Sequence, residues 1–210
     1  WDAQNIAHSS VYDQLQRPIR SITKTPEGYS PEVNQVVAET IYAEQYFGEA
    51  AIEQAQDQNA LGQAIYQYGA AGKSTTTSYT FDGHPISSQF EYRTEYKQEA
   101  DWSLANIEND QDFLEEKPFE SASRLDAVGR LTWQQLPDQS IATWQYGIMG
   151  NCIRSAIQVM GEEGTQEEQA IITGSTLDAN GHMTNIEYGS GLTTAKQYNE
   201  LSLQLKRIQT

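Results

Sequence analysis

The sequence predicts an all-β protein built as a run of antiparallel β-hairpins with short helical connections. Three observations carry this. A six-residue turn motif recurs along the chain, its copies share a spacing, and apolar and polar residues alternate between them. Composition agrees. Twelve Tyr, five Phe and four Trp suit a pleated, half-buried surface.

The motif reads as an aromatic residue or Leu, then Asp, Asn or Gly, two variable residues, Gly or a substitute, and a polar or basic residue. It occurs as Tyr12-Asp13-Gln14-Leu15-Gln16-Arg17, Tyr68-Gly69-Ala70-Ala71-Gly72-Lys73 and, shortened, Phe81-Asp82-Gly83-His84. Further copies are Leu125-Asp126-Ala127-Val128-Gly129-Arg130, Tyr146-Gly147-Ile148-Met149-Gly150-Asn151 and Leu177-Asp178-Ala179-Asn180-Gly181-His182. Tyr198-Asn199 begins a worn copy, and Trp1-Asp2-Ala3-Gln4-Asn5 reads as another. An Asp or Asn side chain bonds backbone two residues on, and Gly supplies the positive φ of a tight turn.

Leu125 to Tyr146 spans 21 residues, as does Leu177 to Tyr198; the interval between them is stretched to 31 by a polar insert at 161–168. A period of this length fits two strands of about 8 residues, each about 27 Å long, with two turns. A second turn lies between motif copies at Leu136-Pro137-Asp138-Gln139-Ser140, where Pro and Asp fit a type I turn. Leu131 and Trp133 share one face, as do Ala142, Trp144 and Tyr146; Ile153, Ile157 and Val159 alternate with Arg154, Ala156 and Gln158. This period of two predicts strands with one buried face.

Residues 50–56 are rich in helix formers and predict one or two helical turns. Residues 100–116 are polar and acidic, with Trp102, Leu104, Ile107, Phe113 and Leu114 scattered through them; they read as a long connection with some helical character. No linker rich in Pro, Gly or Ser divides the chain, so residues 1–210 are read as one repeat region. Trp1 stands inside a repeat, which reads as an internal stretch of a longer polypeptide.

The chain has 210 residues, 38% hydrophobic content and a net charge of −16. Such a charge repels phosphate backbones, so nucleic acid is not an expected partner. It also keeps a sheet-rich protein soluble. No apolar run approaches the roughly 20 residues of a membrane span, and none is expected. Cys152 is the single cysteine, so packing replaces disulfides; it reads as a small buried hydrophobe.

These elements resemble the YD repeat of Rhs proteins, whose consensus is Tyr-Asp-x-x-Gly-Arg on a period near 21. Val11-Tyr12-Asp13-Gln14-Leu15-Gln16-Arg17-Pro18-Ile19 is similar to the YD-x-L-x-RP element of the B component of bacterial Tc insecticidal toxins. Glu39-Thr40-Ile41-Tyr42-Ala43-Glu44 resembles its E-x-x-I-Y-G-E, and Asn59-Ala60-Leu61-Gly62 its NL-x-G. Ile186-Glu187-Tyr188-Gly189-Ser190-Gly191-Leu192-Thr193-Thr194 resembles its I-x-YGNG-x-x-T. Leu replaces Tyr at 125 and 177, Gly replaces Asp at 69 and 147, and Arg is kept only at 17 and 130, so individual turns are expected to be distorted.

The resemblance implies a curved open sheet, part of a hollow Rhs-type shell, that encloses a toxic polypeptide. It implies the rest of the parent Rhs chain or a second toxin-complex component as partner, and secretion from a bacterium. The competing reading is a carbohydrate- or cell-surface-binding module, as in YD-repeat adhesion proteins such as teneurins. Exposed Trp1, Trp102, Trp133 and Trp144 would then stack on sugars, although Trp133 and Trp144 also read as core.

No catalytic, cofactor-binding or metal residue is assigned, and enzyme activity is not expected. His84 and His182 stand where the consensus has Arg and read as turn residues; His8 has no ligand spacing around it. Asp178-Ala179-Asn180-Gly181 lacks the remaining ligands of a calcium loop. Glu115-Glu116, Glu162-Glu163 and Glu167-Glu168 read as solvated surface. Some Rhs proteins cleave themselves with aspartates beyond the last repeat, and no segment here matches that element.

Overall fold

The alternating stretches are strands, and the motif copies are the turns that join them. The computed structural model describes residues 6–28, 33–48, 51–103, 109–160 and 166–210, with Gln166 described in its backbone only. The copy at residues 1–5, Ala50, Leu104, Ile107 and most of the polar insert, including Glu162-Glu163, lie outside these residues. The protein is all-β, with antiparallel pairing and two short α-helices among the described residues. The chain divides into two units, Trp1–Glu120 and Ser121–Thr210. No helix among the described residues is long and apolar enough to cross a membrane.

The first unit carries β1 (Ala7–Tyr12), β2 (Pro18–Lys24), β3 (Asn34–Tyr42), β4 (Ala64–Tyr68), β5 (Gly72–Tyr79) and β6 (Pro85–Tyr92). Each pairs antiparallel with the next. Between β3 and β4 lie α1 (Ala43–Phe47) and α2 (Ile52–Asp57). The expected helical segment is therefore α2, while α1 was not foreseen. Neither helix has a side-chain N-cap, and helices this short depend on packing. Ala43 and Ala55 supply it by joining Ala60, Ile65 and Tyr79 in one buried cluster.

A second cluster holds Ile41, Tyr68, Ala100, Trp102 and Leu114. Here the acidic connection folds back on the sheet. Its helical character is a single 3-10 turn, Asp110–Phe113. The Trp102 backbone N–H donates to Val36 O at 2.8 Å, and its indole N–H donates to Gly69 O at 3.1 Å. Its ring lies 4.9 Å from that of Tyr68. Trp102 is 2% exposed, which corrects its reading as an exposed sugar platform.

The second unit begins within β7 (Phe119–Leu125), which is followed by β8 (Leu131–Gln135), β9 (Ile141–Tyr146), β10 (Cys152–Met160), β11 (Gln166–Leu177), β12 (Met183–Tyr188), β13 (Thr193–Tyr198) and β14 (Leu205–Gln209). Again each strand pairs antiparallel with the next. The expected single buried face does not form here. β8 is half-buried at every position, and the buried residues are the small Ser140, Ser155, Ala156 and Thr194. Val159, Ile171, Leu205 and Ile208 are exposed. In β10 the register shifts between Cys152 and Arg154 and again between Ser155 and Ala156. A bulge breaks the two-residue period, so the neighbours Ser155 and Ala156 are both buried while Ile153 is exposed. Cys152 is half-buried rather than buried, and its Sγ lies 3.3 Å from Arg154 O.

One hairpin turn recurs. At Asp126 the backbone N–H donates to Arg130 O at 2.9 Å, and Gly129 N–H donates to Asp126 O at 3.0 Å. The same pair of bonds closes the turns beginning at Asp13, Thr80, Leu136, Gly147, Asp178 and Tyr188. The fourth turn residue always has positive φ, from 62° at Gln16 to 85° at Gly150 and Gly181. This is the three-residue hairpin loop that ends in a left-handed residue.

Two copies are corrected by this geometry. The shortened copy is full length, because the turn begins at Thr80, whose hydroxyl accepts from His84 N–H at 2.9 Å; Tyr79 and Thr80 stand for Tyr and Asp. The copy at Tyr68 is tighter, with Gly69 N–H donating to Gly72 O at 2.9 Å. Gln16 and Gln139 hold the left-handed position without being Gly, which costs about 1–2 kcal/mol. Gln16→Gly is expected to stabilise the first unit by about 1 kcal/mol in denaturant unfolding, after the entropy that Gly loses on folding.

Candidate functional site

The motif residues build a repeated clasp. In the Asp126 copy, Oδ1 accepts the backbone N–H groups of Val128 and Arg130, both at 3.0 Å. Oδ2 pairs with Arg130 Nε at 2.7 Å. The guanidinium then lies 4.5 Å from the ring centroid of Tyr146, which is the aromatic of the next copy. The Tyr146 hydroxyl donates to Leu131 O at 2.9 Å. Here the later copy holds the earlier one, and the 21 residues from Leu125 to Tyr146 are the distance from the clasp to its cover.

Asp13 and Arg17 repeat the arrangement, with Arg17 Nε at 2.7 Å from Asp13 Oδ2 and its guanidinium 3.9 Å from the Tyr42 ring. The Tyr42 hydroxyl donates to Pro18 O at 3.3 Å. In the third copy His182 replaces Arg. Its Nδ1 is 2.9 Å from Asp178 Oδ2, its ring stacks 4.6 Å from Tyr198, and the Tyr198 hydroxyl donates to Met183 O at 3.1 Å. The expected turn role of His182 holds. His84 is exposed, with Nε2 3.4 Å from Asp82, and His8 Nδ1 lies 3.4 Å from the Thr23 hydroxyl. Where Gly147 replaces Asp the clasp is absent, and Asn151 instead donates to the Ser175 hydroxyl at 2.8 Å.

Bonding to Arg130, first through its backbone N–H, holds the Asp126 carboxyl below the usual carboxylate range. His182, through its side chain and then its backbone, does the same for Asp178. A carboxylate with a lowered folded pKa contributes stability that is present above its unfolded pKa and lost as pH falls through the folded one. Asp126→Asn is therefore expected to lower the melting temperature at neutral pH and to flatten its fall below pH ~4. Melting curves of both proteins across that range check this; equal acid limbs would contradict it.

A different cluster lies inside the first unit. Lys73 Nζ is 2.7 Å from Asp110 Oδ2 and 3.4 Å from Glu91 Oε2. Their side chains are 8%, 2% and 11% exposed for Lys73, Asp110 and Glu91. The Tyr68 hydroxyl donates to Asp110 Oδ2 at 2.7 Å, and Gln111 Nε2 donates to Glu91 Oε1 at 3.3 Å. Burial, with Asp110 at its hydroxyl, pushes the Tyr68 phenol up. The Tyr66 ring centroid is 4.6 Å from Nζ. Nothing local in the sequence signals this cluster: Lys73 fills a motif position that is half-buried in the copies at Arg17, Arg130, Asn151 and His182 and exposed at His84.

Of the remaining candidates, Trp133 is half-buried with the Arg124 guanidinium 4.8 Å from its ring, and Trp144 is half-buried. Trp1 lies outside the described residues. Glu115, Glu116, Glu167 and Glu168 are exposed, and Glu168 pairs with Arg154 at 2.7 Å.

No protein-family model matches the chain. A curated relative, the toxin subunit YenC1 of Yersinia entomophaga, is 26% identical over 208 residues, 99% of this chain. The chain is similar to this toxin subunit over nearly its whole length. It spans 20% of the length of YenC1. The crystal structure of TcdB2–TccC3 superposes with a TM-score of 0.79 at 24% identity, covering 97% of this chain and 9% of that one. The Photorhabdus luminescens Tc holotoxin pore gives 0.78 at 25% identity with the same coverage.

The elements that resemble Tc toxins meet in space. Arg17 of the first element bonds Glu44 of the second, Nη1 to Oε2 at 3.3 Å. Gly62 of the third donates its N–H to Glu44 Oε1 at 2.6 Å. Burial raises the Glu44 carboxyl, but the backbone bonds and Arg17 outweigh it and hold it below its ordinary value. Glu44 thus ties α1 to the first clasp and to the loop after α2. The Tc-like pattern here is architectural, since its polar groups bond one another.

Proposed function

We propose that the chain is a non-catalytic wall segment of a hollow YD-repeat shell that encloses a toxic polypeptide within a secreted bacterial toxin complex. The observation that carries this reading is the second unit. Its described residues form hairpin after hairpin with no buried hydrophobic cluster of their own, and Val159, Ile171, Leu205 and Ile208 are exposed. Apolar residues left open along a sheet fit a segment covered by more protein. The similarity to Tc toxin subunits over nearly the whole chain supplies the context. A curved sheet continuing into the parent Rhs chain would also cover strand edges.

The partners proposed are the rest of that parent chain or a second toxin-complex component, and the enclosed polypeptide. The clasps suit a wall, since they hold one hairpin to the next through side chains as well as backbone. Burial of Trp102 removes one platform of the carbohydrate-binding alternative. Protease protection tests the proposal. The toxic segment of the assembled protein should resist digestion until the shell is opened with denaturant. Digestion at the rate of the free segment would refute it.

A further inference from the structure

We propose that Lys73 and Asp110 become joined by an amide bond between Nζ and Cγ, with Glu91 relaying protons. The three side chains already have the arrangement this needs. Nζ sits 2.7 Å from Oδ2 of the carboxyl group that would acylate it, and Glu91 Oε2 is 3.4 Å from the same nitrogen. Register fixes two of them, because Lys73 of β5 pairs directly with Glu91 of β6. The third arrives on the 3-10 turn, where Asp110 is buried. Holding reacting groups at such distances supplies much of what an uncatalysed condensation lacks.

The step balances without an outside reagent. Two of the three Nζ protons pass to a departing carboxyl oxygen, Glu91 carrying them. One C–N bond forms, one C–O bond breaks, and water leaves. An ammonium and a carboxylate become a neutral amide, and Glu91 ends as it began. The Tyr68 hydroxyl, donating to Asp110 Oδ2 at 2.7 Å, is placed to hold the negative charge that develops on that oxygen at the tetrahedral stage. A buried ion pair carries a desolvation cost that the neutral amide does not. Tyr66, Tyr68 and Trp102 pack around the cluster and limit water that could reverse the reaction.

The bond would fasten the acidic connection to β5 across 37 residues of chain and lock the lid over the first unit's core. Peptide mass mapping of the purified, denatured and digested protein tests it. The expected result is a branched peptide carrying both Lys73 and Asp110, lighter than its two parts by one water. Lys73→Arg, which keeps the cation, and Glu91→Gln, which removes the relay, should each return two linear peptides at full mass, with folding confirmed by thermal melts. Linear peptides at full mass from the unaltered protein would overturn the proposal. So would a water loss that persists in Lys73→Arg, which would place it at a site such as Asp82-Gly83.

Discussion

Lys73→Met is expected to destabilise the first unit by roughly 3–5 kcal/mol, the cost of leaving buried charge uncompensated. Met keeps most of the side chain's length and its contact with the Tyr66 ring, so volume changes little. What goes is the group that neutralises Asp110, as ammonium or as amide, beside Glu91; the two acidic side chains are 2% and 11% exposed. Two carboxylates would then face each other with only Tyr68 and Gln111 as donors. Water is too scarce there to screen them. Lys73→Arg, which preserves the charge, should lose less. Denaturant unfolding of both variants, followed by circular dichroism, checks the ordering. Equal stability of Lys73→Met and the unaltered protein would show that the cluster is hydrated and weak.

Gly189→Ala is expected to disrupt the pairing of β11 with β12, at a cost of about 3 kcal/mol. A Cβ at Gly189 would lie 1.7 Å from the backbone oxygen of Ala170 and 2.5 Å from its carbonyl carbon. No side-chain rotation relieves a clash with backbone, so the strand itself must move. Gly189 also donates its N–H to Ile171 O at 3.1 Å, a bond that the movement would break. Gly191, two residues on, is a useful contrast. Its Cβ would meet nothing within 4 Å, but its φ is +84°, a conformation that costs a non-Gly residue about 1–2 kcal/mol. The two glycines of the Tc-like element therefore serve different ends, close approach and turn geometry. Hydrogen exchange at β11 and β12 should accelerate in Gly189→Ala and stay near normal in Gly191→Ala. The same exchange pattern in both would contradict the assignment.

Features set by nearby residues were legible in the sequence. Asp126, Gly129 and Arg130 specify their turn through bonds that span four residues, so the motif announces itself. The period was legible too, and its cause is now visible in the stacking of Tyr146 on Arg130 and of Tyr198 on His182. The copy at Thr80 is hidden in the sequence because a hydroxyl does the work of a carboxylate, while Asp82 offers a false match. Features set by distant residues were not legible. Asp110 lies in an acidic stretch that looks like solvated surface, and nothing local says that it meets Lys73. Trp102 looked available for the same reason, since the fold-back of its segment depends on Val36 and Gly69 far away in sequence. In β10, the bulge at Ile153 inverts the facing that a strict two-residue period requires.

The wall-segment account implies a covered, closed architecture around the exposed apolar residues of the second unit. A three-dimensional electron-microscopy reconstruction of the full-length protein tests this most directly. It should show a hollow closed particle with this chain in its wall and further density enclosed. A solid particle, or an open rod with no interior, would contradict it.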